Sequence, residues 1–395
     1  MKEKTTPERF FFVISALNLF IMYIMLLLSK GSFIEKITYS ESNFIDFWSH
    51  IGRLLYSPAI YSTDADAIFP PLAYLFLKLF AYPLGFKAEN GNELWEISNS
   101  GYGILMVVMY FLLFAWLLGI GIYVYYKTNS FVKKQVLLGI CLFSYSIWGF
   151  AFERGNLVLY AMVFLMLGLA LKDSPNRLLR EAALIFVAVS AGFKLYPALF
   201  GFTWIAEKRY KEAARLVVYG MLAFFIPFLF VDSFANYLHT FMQYLDKGMY
   251  SHASIWGAVF GLFGNNEYTQ ILCRCIVAAI ILSAIFFLFV DGINWKTITL
   301  LMATQTVMIP EQYVYTYVFI VISLICFLNE AGRRKIDYVY SVLFSSLFTL
   351  PPIFKGERGR LMVWMWGGLL LVVLIDEIAF LLRRKSSGKK IKDNM

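Results

Sequence analysis

Apolar runs long enough to cross a bilayer follow one another along nearly the whole chain, separated by short charged loops, and this succession decides what it can fold into. A lipid core requires about 20 apolar residues per helical crossing. With 60% hydrophobic and 15% charged residues among 395, the chain carries more apolar surface than a soluble core can bury. It therefore reads as one all-α polytopic membrane domain over residues 1–395. The net charge of +9 sits in short loops and at the tail, where it sets orientation through the positive-inside rule and gives no sign of a nucleic-acid partner. Cys141, Cys273, Cys275 and Cys326 fall in or beside apolar runs, which argues against a disulfide framework or a zinc site.

The first run, Phe10 to Leu28, follows Lys2, Lys4 and Arg9 and lacks a small-residue cleavage site, so it reads as an uncleaved span with a cytoplasmic N-terminus. Residues 31–98 then form the first outer loop. Within it Phe44, Phe47, Trp48, Ile51 and Leu55 recur at helical spacing and predict an amphipathic helix on the outer membrane surface, with Asp46, His50 and Arg53 on its polar face. Runs at Gly101 to Tyr126, Val136 to Phe152 and Leu157 to Leu171 follow as crossings. The next stretch, Glu181 to Ala206, is basic on both flanks, with Arg177 and Arg180 before it and Lys208, Arg209 and Lys211 after it. A single crossing there would place Arg333, Arg334, Lys335 and the basic tail 383–395 outside. A re-entrant pair of half-spans near 181–206, turning between Gly192 and Pro197, keeps all of them cytoplasmic. Broken helices at membrane depth line cavities, so this turn marks a site. The total is about ten full transmembrane helices plus the pair, with a second outer loop at 231–270 and both termini cytoplasmic.

The groups able to do chemistry gather on the outer side. Asp46 is placed to deprotonate an acceptor hydroxyl as a general base, or else to serve as the third-position capping partner of Asn43. Lys194, inside a long apolar stretch, costs about 3 kcal/mol to insert and needs a partner. A phosphate is one answer; snorkelling or a structural carboxylate is the other. Glu153, Arg154, Gly155 and Asn156 form a charged corner in which Arg154 either forks onto phosphate oxygens or punctuates the turn. His50 lies one helical turn from Asp46, close enough to tune it. His252, before Ser254 to Gly257, reads first as structural. Asp376 and Glu377 read as residues facing a cytoplasmic boundary.

Asp46, Phe47 and Trp48 in the first outer loop, then Tyr61, Phe69 to Pro71, the Arg154, Gly155, Asn156 corner and the Lys194, Leu195, Tyr196, Pro197 turn occur in that order. The arrangement resembles glycosyltransferase family 87, the polyprenyl-phosphate-mannose-dependent mannosyltransferases and their relatives, within the C-type membrane glycosyltransferase fold. The resemblance runs from about Asp46 to Leu328. It implies an inverting transfer of a single hexose, mannose or related, from a polyprenyl-phosphate sugar to a glycan or glycolipid acceptor at the outer face of the plasma membrane. Asp46 would be the base and Lys194 and Arg154 the donor-phosphate ligands, with His50, Arg53, Asn156, Tyr196, His252 and Glu311 in support and neither metal nor cofactor. Where family members tend to carry a histidine pair, this chain reads Pro310, Glu311, Gln312, Tyr313, so Glu311 or His252 would take that place. The competing readings are a lipid-linked glycan flippase, which should show related halves and charge along a path, and a surface-polysaccharide polymerase using a lipid-linked oligosaccharide.

Overall fold

A computed structural model of the chain describes residues 6–31, 44–56, 59–63, 67–81, 91–144, 151–246, 254–307, 314–349 and 358–392. Among these residues there is helix and no strand. In chain order the α-helices are α1 (Pro7–Leu28), α2 (Ile45–Tyr56), α3 (Ile60–Thr63), α4 (Pro71–Ala81), α5 (Gly91–Asn99), α6 (Gly101–Tyr125) and α7 (Phe131–Phe143). They continue as α8 (Val158–Leu171), α9 (Arg177–Phe193), α10 (Phe202–Ala206), α11 (Tyr210–Phe225), α12 (Phe234–Asp246) and α13 (Ile255–Phe263). The last are α14 (Glu267–Asp291), α15 (Trp295–Val307), α16 (Ile320–Leu328), α17 (Asp337–Thr349) and α18 (Arg358–Lys392). Short 3₁₀ turns at Tyr196–Gly201, Ile226–Leu229 and Val314–Phe319 lead into or out of α10, α11 and α16.

Among the described residues five helical stretches are long and apolar enough to cross a membrane: Pro7–Leu28, Gly101–Tyr125, Tyr210–Leu229, Glu267–Asp291 and Met362–Arg383. The chain is a helical membrane protein. Its remaining apolar helices are shorter, among them Val158–Leu171. Starts are set by local capping: Thr6, Ser100, Ser130 and Asn176 each accept from a backbone amide two or three residues on, and Asn266 closes a reciprocal capping box with Thr269. The helix expected over Val136 to Phe152 begins earlier, at Phe131 behind the Ser130 cap, and ends at Phe143.

Charged and amide side chains gather where helices end at one side of the bundle. Lys133 pairs with Glu8 at 2.6 Å, and Tyr126 also donates to Glu8. Asn329 holds the backbone of Tyr125 and Lys127. Tyr125, Lys127, Lys172, Glu207, Asn294 and Asn329 share the wall of one recess. Asp376 and Glu377 are not simply facing a boundary: Lys296 lies 3.0 Å from Asp376 and 2.7 Å from the buried Glu377, and Arg334 closes on Asp376 at 2.6 Å. A carboxylate this far out of water requires such cations, and their positions on α15 and beyond α16 are separated from it by some 40 residues or more.

The segment 172–209 folds back on itself. α9 rises from Arg177 to Phe193, the chain reverses at Lys194, and the 3₁₀ turn and α10 return it to Glu207. The two ends are stapled together: Lys172 pairs with Glu207 at 2.6 Å, Arg209 with Asp173 at 2.7 Å, and Arg209 donates to the Lys172 carbonyl at 2.7 Å. At the reversal, a Cβ added to Gly192 would lie 2.6 Å from Leu72 Cδ2, so α4 packs closely against α9 there and any larger residue would have to displace the Leu72 side chain.

Candidate functional site

The site begins with a backbone problem. A helix leaves its first amides without intrahelical acceptors, and in α2 those amides find the Glu153–Asn156 corner, more than 100 residues away. Phe44 N–H donates to the Glu153 carbonyl at 2.5 Å, and Asp46 and Phe47 N–H donate to the Arg154 carbonyl at 2.9 and 3.1 Å. The corner is tight enough to present these carbonyls because Gly155 N–H closes onto Phe152 O and Asn156 N–H onto Ala151 O. Gly155 itself has φ +64°, and a Cβ on it would sit 2.6 Å from Phe47 Cβ. Gly155→Ala therefore combines left-handed strain with a clash, and it is expected to lower stability by roughly 2–5 kcal/mol. Thermal unfolding in detergent checks this against Gly139→Ala, where a Cβ meets nothing within 4 Å and no comparable loss is expected.

The side chains add a second tie in the same place. Arg154 Nε and Nη2 donate to the two oxygens of Asp46 at 2.9 and 2.5 Å, a fork-on-fork pair, and Asn156 Nδ2 donates to Asp46 Oδ2 at 2.7 Å. Asn156 does double duty, because its Oδ1 accepts from Val158 N–H at the start of α8. The pair is partly shielded, with 23% of the Arg154 side chain and 14% of the Asp46 side chain exposed. Asp46 is thus bound across the fold by Arg154 and Asn156; Asn43, its alternative capping partner, lies outside the described residues.

Lys194, at the reversal after α9, reaches the same region. Its Nζ lies 3.6 Å from the centroid of the Phe69 ring, a cation–π contact worth about 0.5–2 kcal/mol. Among the described residues it has no carboxylate within ion-pair distance. Phe69 is held in turn: its carbonyl accepts from Tyr61 Oη at 2.8 Å, and Tyr61 N–H donates at 2.7 Å to Oδ2 of Asp232, just before α12. Pro70 and Pro71 then start α4, with Pro71 as its first residue, a position where the missing amide is harmless.

His50 does not pair with Asp46 as its spacing predicts. Its Nδ1 lies 3.0 Å from Arg53 Nη1, and since a guanidinium only donates, Nδ1 accepts and the ring is neutral with its proton on Nε2. Burial, followed by the charges of Arg53, Lys194 and Arg154, holds its pKa well below the ordinary value. The ring packs 4.0 Å from Phe69 centroid to centroid. Burial first, and then the three nearby cations, explains why it stays uncharged.

The structure therefore brings Asp46, Arg154, Asn156, His50, Arg53 and Lys194 into one neighbourhood. Tyr196, two residues after Lys194, points elsewhere, its ring 5.7 Å from Phe319 and its buried hydroxyl without a hydrogen-bond partner among the described residues. His252 and Glu311 lie outside the described residues. Sequence reasoning missed Phe69 as the platform under Lys194 and Asp232 as the anchor of Tyr61. It also missed the corner carbonyls that receive α2, since backbone acceptors carry no residue signature.

A model of glycosyltransferase family 87 matches residues 67–310, well over half of the chain and including Arg154, Asn156 and Lys194 but not Asp46. No curated protein and no solved structure matches the chain.

Proposed function

The chain belongs to glycosyltransferase family 87, and from that premise we propose that it moves one hexose from a polyprenyl-phosphate sugar to a glycan or glycolipid acceptor, with inversion, at the outer face of the plasma membrane. The observation that carries this reading is the ammonium of Lys194, without an anionic partner among the described residues, beside the Asp46–Arg154 pair. A half-buried cation is costly unless an anion joins it, and a phosphodiester supplies one negative charge.

In the reaction, the acceptor hydroxyl oxygen attacks the anomeric carbon while its proton passes to Asp46. The bond from that carbon to the phosphate oxygen breaks, and the electron pair leaves with the polyprenyl phosphate. Lys194 stabilises the charge that gathers on the phosphate. Arg154 serves both partners, since its fork fits phosphate oxygens as well as carboxylate oxygens. When the phosphate draws Arg154 over, Asp46 Oδ1 is released to take the proton, and Asn156 still holds Oδ2 in place.

The gathering of Lys133, Lys172, Arg209 and Arg334 at one side supports placing that side in the cytoplasm, with both termini there and the Asp46 cluster outside. In that arrangement the segment 172–209 enters and leaves from the cytoplasm, and the helices make about ten full crossings of a C-type glycosyltransferase.

Transfer in proteoliposomes tests the donor class. Label is expected to move into extracted host lipids and glycans from polyprenyl-phosphate hexoses, mannose among them, and not from nucleotide sugars. Transfer from a nucleotide sugar alone, or none from any polyprenyl-phosphate hexose, removes the reading.

A further inference from the structure

Every polar group of Tyr61 is bonded, and the bonds run to two different parts of the chain. Its N–H donates to Asp232 Oδ2 at 2.7 Å and its carbonyl accepts from Thr240 Oγ1 at 2.7 Å, so its backbone is held by α12 and the residue before it. Asp232 is itself tied to α12, its Oδ1 accepting from Asn236 Nδ2 at 2.9 Å. At the far end of the side chain, Tyr61 Oη donates to the Phe69 carbonyl at 2.8 Å. The ring between is buried, with Tyr237 of α12 at 5.1 Å and Tyr74 of α4 at 5.8 Å between centroids.

The hold on that carbonyl reaches Lys194. Pro70 disfavours helical backbone at Phe69, so with its carbonyl fixed the ring keeps little freedom beyond its own torsions. His50 packs on the ring at 4.0 Å with 32° between planes, and being neutral it does not compete with a cation for the ring's negative face. Lys194 Nζ sits 3.6 Å from the ring centroid. Lysine carries its charge on a flexible four-carbon stem, and with no carboxylate in ion-pair range among the described residues, the ring sets where this ammonium rests. An ammonium has three N–H donors. Those turned away from the ring can meet phosphate oxygens while the ring stays beneath.

We propose that Tyr61 is a positioning residue for the departing phosphate: it holds Phe69 under Lys194 and is itself held by Asp232 and Thr240, so the placement of the ammonium is set from α12. This rests on Lys194 meeting the donor phosphate. A cation already in place stabilises developing charge without reorganising as the bond breaks, and a misplacement of about 1 Å can lower a rate about a hundredfold. Tyr61 thus acts on kcat through Lys194 and touches no substrate.

The test compares transfer rates of the full-length protein in proteoliposomes, per folded molecule, with a polyprenyl-phosphate hexose that the wild type consumes. Tyr61→Phe keeps the ring and removes the hydroxyl; it is expected to lower kcat about tenfold, with less than about a threefold change in donor KM. Placed in the Lys194→Gln protein, the same substitution is expected to lower the rate further by no more than about twofold, because the group it positions is gone. A second tenfold loss there would show that Tyr61 acts apart from Lys194 and would overturn the proposal. Thr240→Val, which cuts the tie to α12, is expected to lower kcat about threefold with the same dependence on Lys194, and Thr240→Ser to restore it. Mono-, di- and trifluorophenylalanine at position 69 keep the packing and withdraw charge from the ring face, so kcat is expected to fall stepwise, about three- to tenfold in all. A flat or rising series would mean that the ring does not hold the ammonium where it works, and would overturn the proposal too. Wild-type transfer by Lys194→Gln defeats the phosphate assignment itself, whereas a slow Lys194→Gln beside an unimpaired Tyr61→Phe defeats only the positioning role.

Discussion

Replacing Asp46 by Asn is expected to lower the rate of sugar transfer by roughly 10²–10⁴-fold, the contribution of a positioned general base. The substitution keeps the shape of the side chain and an oxygen for Arg154 to meet, but it removes the site that takes the hydroxyl proton. Asp46 is held by three side-chain donors, two from Arg154 and one from Asn156, so the variant also loses part of an ion pair. With the pair only partly shielded, that loss costs about 1–3 kcal/mol of stability. Transfer rate, thermal midpoint and polyprenyl-phosphate binding are therefore measured together. A folded, donor-binding, inactive variant is the expected result. Transfer at the wild-type rate by a folded Asp46→Asn protein would end the assignment of the base.

Lys194→Gln is expected to reduce kcat by roughly 10²–10³-fold with a smaller change in the KM for donor, because the ammonium interacts most strongly with charge that develops on the departing phosphate. Lys194→Arg should recover part of the rate. The stability change has an informative sign. A half-buried ammonium with no anionic partner among the described residues is a burden on the folded state, partly offset by its contact with Phe69. Its neutralisation should leave the thermal midpoint unchanged or raise it, whereas a structural lysine would lower the midpoint and spare the activity of the molecules still folded. A residue that costs stability and carries rate marks a functional site.

Much of the architecture was legible because lipid imposes a simple rule. Every backbone polar group must be satisfied internally, so long apolar runs become helices. Pro7–Leu28, Gly101–Tyr125 and Glu267–Asp291 follow directly from their composition. The reversal at Lys194 was also readable, since basic residues flank that stretch on both sides and one lysine interrupts its apolar run.

The pairings were not readable from the sequence. Nothing local in Asp46 announces that Arg154 and Asn156 will claim its oxygens, or that Glu153 and Arg154 will receive the amides of its helix. His50 shows the limit most clearly. Its spacing points to Asp46, but burial under the rest of the fold, with the charges of Arg53, Lys194 and Arg154 added, keeps the ring neutral and bonded to Arg53. Periodicity and charge are properties of neighbours along the chain, and by themselves they determined the helical membrane protein and the break at Lys194. Which cation meets which carboxylate depends on contacts across more than 100 residues, and the tertiary structure alone decided that.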